Sequence, residues 1–216
     1  ELDHIIALTQ KTKDALISEG TAPDKITIIS HYIDTKRFAP APFRKTVRTI
    51  LFCGRLEEYK GVFDFVAMAK RLPKSIRFRM VGEGSQKQNL RGMNTTSVSY
   101  DDMPSVYRGA DIFVAPSKPT ATWEEQYSTV LLEAQAAGLP IVTTATGGIG
   151  ENVGDAAVIV RPGDVGALTE AVRKFIHSPK MRKHYAEEAR SRAVAVHDIT
   201  VGARKLDQLY QSLLSR

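Results

Sequence analysis

Short apolar runs alternate with longer amphipathic stretches along this chain, and this alternation limits the folds that it can adopt. Strands buried in a parallel sheet are nearly continuous apolar runs of about four to eight residues, and a helix connects each strand to the next. The pattern therefore predicts an α/β fold with a doubly wound parallel sheet flanked by helices. The predicted strands are 26–30, 49–53, 76–81, 97–100, 111–115, 141–144 and 156–160, and the predicted helices are 10–19, 61–72, 86–91, 104–108, 129–137, 165–177, 180 to about 197, and 199–214.

The composition is that of a globular protein rather than a disordered or fibrous one. The 216 residues are 43% hydrophobic and 25% charged, and they suffice for one domain with an extension. No apolar run approaches the ~20 residues that span a bilayer, so we expect a soluble, cytoplasmic protein. The single cysteine, Cys53, excludes an internal disulfide and a cysteine-rich zinc site, and it fits a reducing compartment.

The net charge of +6 comes from 30 Lys and Arg residues against 24 Asp and Glu residues, and much of the excess lies in residues 173–216. A basic helical face of this kind is either an ordinary solvated surface or a peripheral contact with an anionic membrane, here the inner face of the cell membrane. The segment lacks the interleaved aromatic residues of an RNA-binding signature. Nucleic acid is therefore not an expected partner.

A proline-containing segment divides the chain. Two prolines within residues 39–44 favour an extended backbone and interrupt any helix. The residues before them have too few apolar elements to close a core alone. We therefore predict an N-terminal-domain remnant at 1–38, a linker at 39–44, a main domain at 45–196, and a helix at 197–216 that packs back on the N-terminal domain. Because the chain starts at Glu1 without a methionine or a leader, we expect a piece of a longer protein.

A cationic loop, Gly54-Arg-Leu-Glu-Glu-Tyr-Lys-Gly61, follows one predicted strand and opens the next predicted helix. In a parallel sheet, ligands bind beyond the carboxyl ends of the strands, where the free N–H groups of a helix N-terminus attract anions. Arg55 and Lys60 are therefore either surface charges or a pair of clamps for phosphate oxygens.

The predicted helix 129–137 begins after Ser128, a favourable N-cap, and ends before Gly138 and Pro140. Glu133 lies inside this helix among aliphatic residues. Its carboxylate is either solvated or paired at the edge of the helix, or it receives hydrogen bonds from a ligand. The vicinal hydroxyls of a ribose would supply such donors.

Two glycine-rich turns also follow predicted strands. Thr146-Gly-Gly-Ile-Gly-Glu151 either brings main-chain amides close to a ligand or forms a tight surface turn. Gly82-Glu-Gly84 raises the remote alternative of an NAD(P)-dependent oxidoreductase. Lys87 stands where the third glycine of the dinucleotide-binding motif belongs, which weakens that alternative.

Glu125 and Glu133, separated by seven residues and set in Pro-Ser…Glu…Leu-Leu-Glu-Ala-x-Ala-x-Gly-x-Pro, resemble the paired-glutamate motif of the retaining group 1 glycosyltransferases, which include glycogen and sucrose synthases. The resemblance implies a Rossmann-like domain, the C-terminal, donor-binding half of a GT-B fold. It covers essentially all of residues 45–195. Further motifs occur in the family's order: Gly54-Arg55-Leu56…Lys60-Gly61, Val81-Gly-Glu-Gly84, Tyr107-x-x-Ala-Asp111, Gly147-Gly148…Glu151 and Val160-x-Pro-Gly-Asp164.

The resemblance also implies roles for individual residues. Arg55 and Lys60 would bind the donor diphosphate, Glu133 would bind the ribose, and Glu125 would lie beside the transferred sugar. Arg55, Lys60 and Glu125 are thus the implied catalytic residues. The implied donor-binding residues are Gly54, Arg55, Lys60, Val98, Tyr100, Glu125, Tyr127, Ser128, Thr129, Val130 and Glu133.

The implied partners are a UDP-, GDP- or ADP-sugar and a glycan or lipid-linked acceptor held by the N-terminal domain, with retention of anomeric configuration and without metal or cofactor. A non-catalytic nucleotide-sugar-binding half that acts with a partner chain is the alternative. One departure concerns Gln126 and Ser128, which stand where the family commonly has glycines. If these positions need a positive φ, the loop must differ. The five histidines, including His31 and His197, are expected to be structural or surface residues.

Overall fold

The computed structural model describes residues 3–215, which form an α/β fold. The strands are β1 (Ile5–Ala7), β2 (Ile26–Ile28), β3 (Thr49–Cys53), β4 (Arg77–Val81), β5 (Asn94–Thr96), β6 (Ile112–Ala115), β7 (Ile141–Thr144) and β8 (Val158–Val160). The α-helices are α1 (Gln10–Ser18), α2 (Val62–Ala69), α3 (Met103–Arg108), α4 (Thr129–Ala136), α5 (Ile149–Val153), α6 (Val165–His177), α7 (Pro179–Arg192) and α8 (Ile199–Leu214).

Six parallel strands form the main sheet in the order β5-β4-β3-β6-β7-β8. The sequence order reverses between β3 and β6, which pair through Ile50 with Ile112 and Leu51 with Phe113. This arrangement confirms the predicted doubly wound sheet. At such a reversal, the connections leave on opposite sides of the sheet and open a crevice beyond the strand ends.

Apolar side chains cover both faces of the sheet. The five residues of β3 are all buried, as expected for a central strand with a helix layer on each side. Ile50 and Phe52 belong to the core cluster that includes Phe65 and Met68 of α2. Leu51 and Cys53 belong to the opposite cluster, with Leu131 of α4. The connections after β3 and β6 therefore lie on opposite faces.

The N-terminal residues form a small separate sheet of β1 and β2, joined by α1. The segment that follows packs into the main core, because Ile33 and Phe38 are both buried in the cluster around α4. Ile33 also forms a parallel bridge with Asp198, next to the start of α8. The stretch before residue 39 is thus anchored to the main sheet at its C-terminal end, and its assignment to another domain stays a prediction.

Two predicted elements are wrong. The strand predicted at Ser97–Tyr100 lies earlier, at Asn94–Thr96, because Ser99 accepts a hydrogen bond from the Asp102 amide and opens a 3₁₀ turn at Tyr100–Asp102. The helix predicted at residues 86–91 is only a 3₁₀ turn at Lys87–Asn89. The amide of Gln86 donates to the carbonyl of Leu56 in another loop, which fixes the start of this segment outside a helical path.

Two further elements differ from the sequence prediction. Helix α5 replaces the turn expected after Gly148. Helix α7 ends at Arg192, and a π-helical segment at Ala193–His197 separates it from α8. Among the helices of residues 3–215, none is both long and apolar enough to cross a membrane.

His197 should make the stability of the protein depend on pH. Its ring is 1% exposed, Nε2–H donates to the carbonyl of Asn152 at 2.9 Å, and Nδ1 accepts from the hydroxyl of Tyr127 at 3.3 Å. Burial lowers the pKa of His197 from 6.5 to about 4. The unfolded chain therefore binds this proton more readily, and the free energy of unfolding should fall by about 3 kcal/mol as the pH drops from 6.5 to 4.

The measurement is urea unfolding of the wild type, His197→Gln and His184→Gln between pH 7.5 and 4. His184 is exposed on α7, and its replacement should leave the pH profile unchanged. His197→Gln should be less stable at pH 7.5 but should lose less stability on acidification. Parallel profiles for His197→Gln and the wild type would show that this ring titrates normally.

Candidate active site

A cleft lies at the carboxyl ends of β3 and β6, where the sheet order reverses, and it consists of three adjoining cavities. The central cavity, about 250 Å³, lies between the loop after β3 and the start of α4. The distal cavity, about 370 Å³, lies over the ends of β3 and β4 and reaches Glu133. The outer cavity, about 590 Å³, lies between α1 and residues 122–127. Arg55 lines all three cavities, and its guanidinium carbon lies 5.3 Å from the centre of the Tyr59 ring.

The loop after β3 is held in place by close main-chain contacts. The amide of Gly54 donates to the carbonyl of Val81, and that of Leu56 donates to Glu83. Gly61 has φ +74°, and a Cβ at this position would lie 1.9 Å from the carbonyl oxygen of Pro116. Only glycine fits there, and the turn it makes brings the preceding Lys60 to the central cavity.

Lys60 and Glu125 form an ion pair at the centre of the cleft. The distance from Nζ to Oε2 is 2.5 Å, and the two side chains are 16% and 9% exposed. Ser117 Oγ donates to the same carboxylate oxygen at 3.4 Å. Lys60 Nζ also lies 4.9 Å from the centre of the Trp123 ring. Because both charges are largely removed from water, each depends on the other, or on a ligand of suitable charge.

The glycine-rich turn after β7 holds the Glu125 loop. The amide of Gly148 donates to the carbonyl of Glu125 at 2.8 Å. Gly147 has φ +53°, and a Cβ on it would lie 1.9 Å from that carbonyl oxygen. The turn therefore supports a loop of the cleft, while the approach of its amides to a ligand stays a prediction.

Helix α4 points its N-terminus into the central cavity, which Ser128, Thr129 and Val130 line. Ser128 occupies the predicted N-cap position, but its side chain makes no capping hydrogen bond. Its carbonyl accepts from Nδ2 of Asn152 at 3.0 Å. The first N–H groups of a helix lack partners within the helix, so this end of α4 offers donors and a positive dipole to an anion.

Glu133 belongs to α4, lines the distal cavity and is 6% exposed. The hydroxyl of Tyr107 donates to its Oε2 at 2.6 Å. Burial raises the pKa of Glu133, while the hydrogen bond from Tyr107 and the charge of Arg37 act in the opposite direction. Val98 and Tyr100 line the same cavity, as the base-binding prediction requires.

The structure thus brings all eleven predicted donor-site residues to the central and distal cavities, while their predicted roles remain to be tested. Gln126 and Ser128 do not need the conformational freedom of glycine, since every residue with positive φ in the described chain is a glycine. His31 is exposed, within the expected class of structural or surface residues, but it also lines the outer cavity together with Glu125.

Sequence reasoning also missed Thr9, Ser117 and Trp123, which line the cleft. Ser117 belongs to the Pro-Ser of the paired-glutamate motif and Trp123 comes shortly before Glu125, so both positions were an available signal. Thr9 and His31 come from the segment before the linker, and only the fold places them at the cleft. No group of three His, Cys, Asp or Glu side chains suited to a metal ion occurs within residues 3–215.

Comparison with known proteins agrees with this geometry. The family model described as glycosyl transferases group 1 matches residues 34–192. The chain belongs to this family. A glycogen synthase of Mycobacterium tuberculosis is 31% identical over 97% of the chain and 54% of its own length. The sulfoquinovosyl transferase of Arabidopsis thaliana is 25% identical over 82% of the chain and 38% of its own length.

Solved structures share the fold. Anabaena HepE in complex with UDP has a TM-score of 0.85 at 18% identity, covering 97% of this chain and 64% of HepE. Sucrose-phosphate synthase of Thermosynechococcus elongatus has a TM-score of 0.79 at 22% identity, covering the whole chain and 59% of the synthase. The six-stranded sheet therefore matches GT-B glycosyltransferase folds. The group 1 chain spans about half the length of the curated relatives it matches.

Gly147→Ala should displace the Glu125 loop and destabilise the protein. The added Cβ meets the Glu125 carbonyl and also strains a left-handed backbone, so we expect a loss of about 3 kcal/mol or more. Gly150→Ala is the matched control, because a Cβ there meets nothing within 4 Å and lies in α5. Thermal denaturation should show a stability for Gly150→Ala equal to or above that of the wild type. Equal melting temperatures for Gly147→Ala and the wild type would contradict the contact.

Proposed function

We propose that this chain is the donor-binding half of a retaining glycosyltransferase that takes a sugar from a nucleoside diphosphate. The observation that carries the proposal is the convergence of Arg55, Lys60 and the N-terminus of α4 on one cavity, with Glu133 in the adjoining one. Two cations and a helix N-terminus suit a diphosphate, and a buried carboxylate suits a diol. A nucleoside diphosphate carries both groups, because its diphosphate is joined to a ribose that bears the diol.

The diphosphate lies in the central cavity in this proposal. Arg55 contacts it with a planar fork of N–H groups, and Lys60 supplies a point charge. Each charge-assisted hydrogen bond contributes about 1.5–3 kcal/mol. Since Lys60 is paired with Glu125, a bound diphosphate competes for this cation and releases the carboxylate toward the sugar.

The nucleoside lies in the distal cavity, with the ribose hydroxyls at Glu133 and the base between the main chain of Val98 and Tyr100. Gly82 and Met103 also line this cavity. Such a lining accommodates the flat ring of a base but does not select one base over another. UDP, GDP and ADP all remain candidates. The HepE structures contain UDP, UDP with glucose and UDP-glucose, and this favours a uridine nucleotide as the first ligand to test.

The chemical step develops positive charge on the anomeric carbon and negative charge on the departing diphosphate. Arg55, Lys60 and the α4 N-terminus are fixed where the negative charge grows, which stabilises the transition state without reorganisation. Glu125 stands on the other side of that position, where a carboxylate stabilises the cationic sugar or orients its hydroxyls. We propose metal-independent transfer with retention, the latter from family membership.

The acceptor enters through the outer cavity in this proposal, since that cavity opens beside Glu125 and is walled on one side by α1. The residues that recognise a glycan or lipid-linked acceptor belong to the part of the relatives that this chain does not span. Transfer by this chain alone is therefore expected to be weak. Peripheral contact with an anionic membrane through α7 and α8 and a cytoplasmic location are further parts of the proposal.

Arg55→Ala and Glu133→Ala should each weaken binding of UDP, GDP or ADP, whichever binds tightest, by at least about tenfold, or about 1.4 kcal/mol. The first variant removes a diphosphate contact and the second removes the ribose contact. Isothermal titration calorimetry provides the measurement. Arg71→Ala and Glu170→Ala are the controls, since both residues are exposed and neither lines the cleft. Unchanged affinity in both site variants would refute the proposal.

Trp123 should report binding directly, because it is the only tryptophan in the chain and lies against Lys60. A nucleoside diphosphate that draws Lys60 away from the indole should change its fluorescence saturably. Lys60→Ala should abolish most of this response. NADH serves as the comparison ligand: a saturable response to NADH with none to the three nucleotides would favour the oxidoreductase alternative.

A further inference from the structure

Tyr107 is buried behind the distal cavity, outside the loops that line the central cavity, and it is fully removed from solvent. Its ring is held between two phenylalanines, with centroid distances of 5.8 Å to Phe38 and 5.7 Å to Phe113. Edge-to-face and tilted packing of this kind fixes a ring in position. The phenol oxygen is therefore fixed as well, and it points at the carboxylate of Glu133.

The hydrogen bond between Tyr107 and Glu133 is short and largely shielded from solvent. Tyr107 donates to Oε2 at 2.6 Å, and Glu133 is 6% exposed. A hydroxyl that donates to a carboxylate makes a charge-assisted bond, roughly twice as strong as a neutral one. Among residues 3–215, the hydrogen bonds to Glu133 side-chain oxygens come from Tyr107 alone, and they involve Oε2. This arrangement leaves Oε1 available at the cavity.

Burial keeps the phenol of Tyr107 as the donor in this bond. Burial raises the pKa of Tyr107 well above 10, so the phenol keeps its proton and remains a donor. Burial also raises the pKa of Cys53, in the same core cluster, to about 12, so this thiol stays neutral. The phenol proton is therefore available to the carboxylate of Glu133 at 2.6 Å, a shorter contact than the 3.4 Å to the carbonyl of Val130.

We infer that Tyr107 is a positioning residue, which holds Glu133 with one oxygen turned to the distal cavity and thereby lets the site select ribose over sugars that lack the 2′,3′-diol. The inference rests on the proposed function, since it assumes that Glu133 faces the ribose. Without the phenol, the buried carboxylate loses its single protein donor and turns toward water. The ribose contribution is then lost, while the contacts to base and diphosphate remain.

The test measures ribose preference as the ratio of two affinities. Calorimetry first identifies which of UDP, GDP and ADP binds the wild type most tightly, and it then measures the 2′,3′-dideoxy analogue of that nucleotide. Tyr107→Phe should weaken binding of the ribonucleotide about tenfold. It should leave binding of the dideoxy analogue within about twofold, because the analogue makes no bond to Glu133.

A merely structural role for Tyr107 would weaken both ligands equally, and that outcome would overturn the inference, as would unchanged binding of both. Tyr185→Phe is the control: it also removes a tyrosine hydroxyl, here from a partly buried ring that packs on Phe175 and lines none of the three cavities. This variant should behave as the wild type with both ligands.

A double variant shows whether Tyr107 acts through Glu133. In a Glu133→Gln background, Tyr107→Phe should change ribonucleotide affinity by less than about twofold, since interacting residues are not additive. A further tenfold loss in that background contradicts the inference. If Tyr107→Phe is unfolded under the conditions of the titration, Glu133→Asp replaces it in the test. This variant shortens the side chain by one methylene group and so moves the carboxylate away from the phenol. The same selective loss for the ribonucleotide is then expected, and full ribose preference would be the contrary result.

The proposed function and this inference fail in different ways. Absence of nucleotide binding to the wild type contradicts the proposed function and removes the basis of the inference with it. Tight ribonucleotide binding by both the wild type and Tyr107→Phe, with equal ribose preference, leaves the proposed function intact and contradicts the inference alone.

Discussion

The parallel pairing of β3 with β6 is the contact on which the cleft depends. Because the chain leaves these two strands on opposite faces of the sheet, the helices of residues 3–215 leave a crevice beyond the strand ends. The loop after β3 carries Arg55 and Lys60 into that space, and the loop after β6 carries Ser117 and Glu125. Lys60 and Glu125, which are 65 positions apart in sequence, thus become neighbours in a cavity.

Burial decides how the charges in the cleft are arranged. Lys60 is paired with Glu125, and Glu133 accepts a hydrogen bond from Tyr107, because an isolated buried charge is costly. The two pairs differ in what they leave for a ligand. The first holds a cation that an incoming diphosphate can take over, whereas the second holds an anion in place and leaves one oxygen open. The cleft thus has a cationic centre and an anionic recess beside it.

Two glycines hold the loops of the cleft in place. Gly61 and Gly147 both have positive φ, and at each a Cβ would meet a main-chain oxygen at 1.9 Å. The close approach of Gly61 to Pro116 packs the Lys60 turn against the loop after β6. The close approach of Gly147 to Glu125 packs the turn after β7 against the Glu125 loop. Gln126 and Ser128 do not have positive φ, so residues larger than glycine are tolerated at these two positions.

The sequence by itself determined the six-stranded α/β fold, the helix that carries Glu133 and the cationic loop after β3, because local periodicity and N-cap and glycine signals specify such elements. Its errors, at residues 86–91 and 97–100, fall where amides bond to distant or capping partners instead of continuing a local pattern. Only the tertiary structure decided that Lys60 meets Glu125, that Tyr107 bonds Glu133, and that His31 lies at the cleft. Such contacts depend on which strands pair and on which face each connection lies, and a local pattern does not encode either.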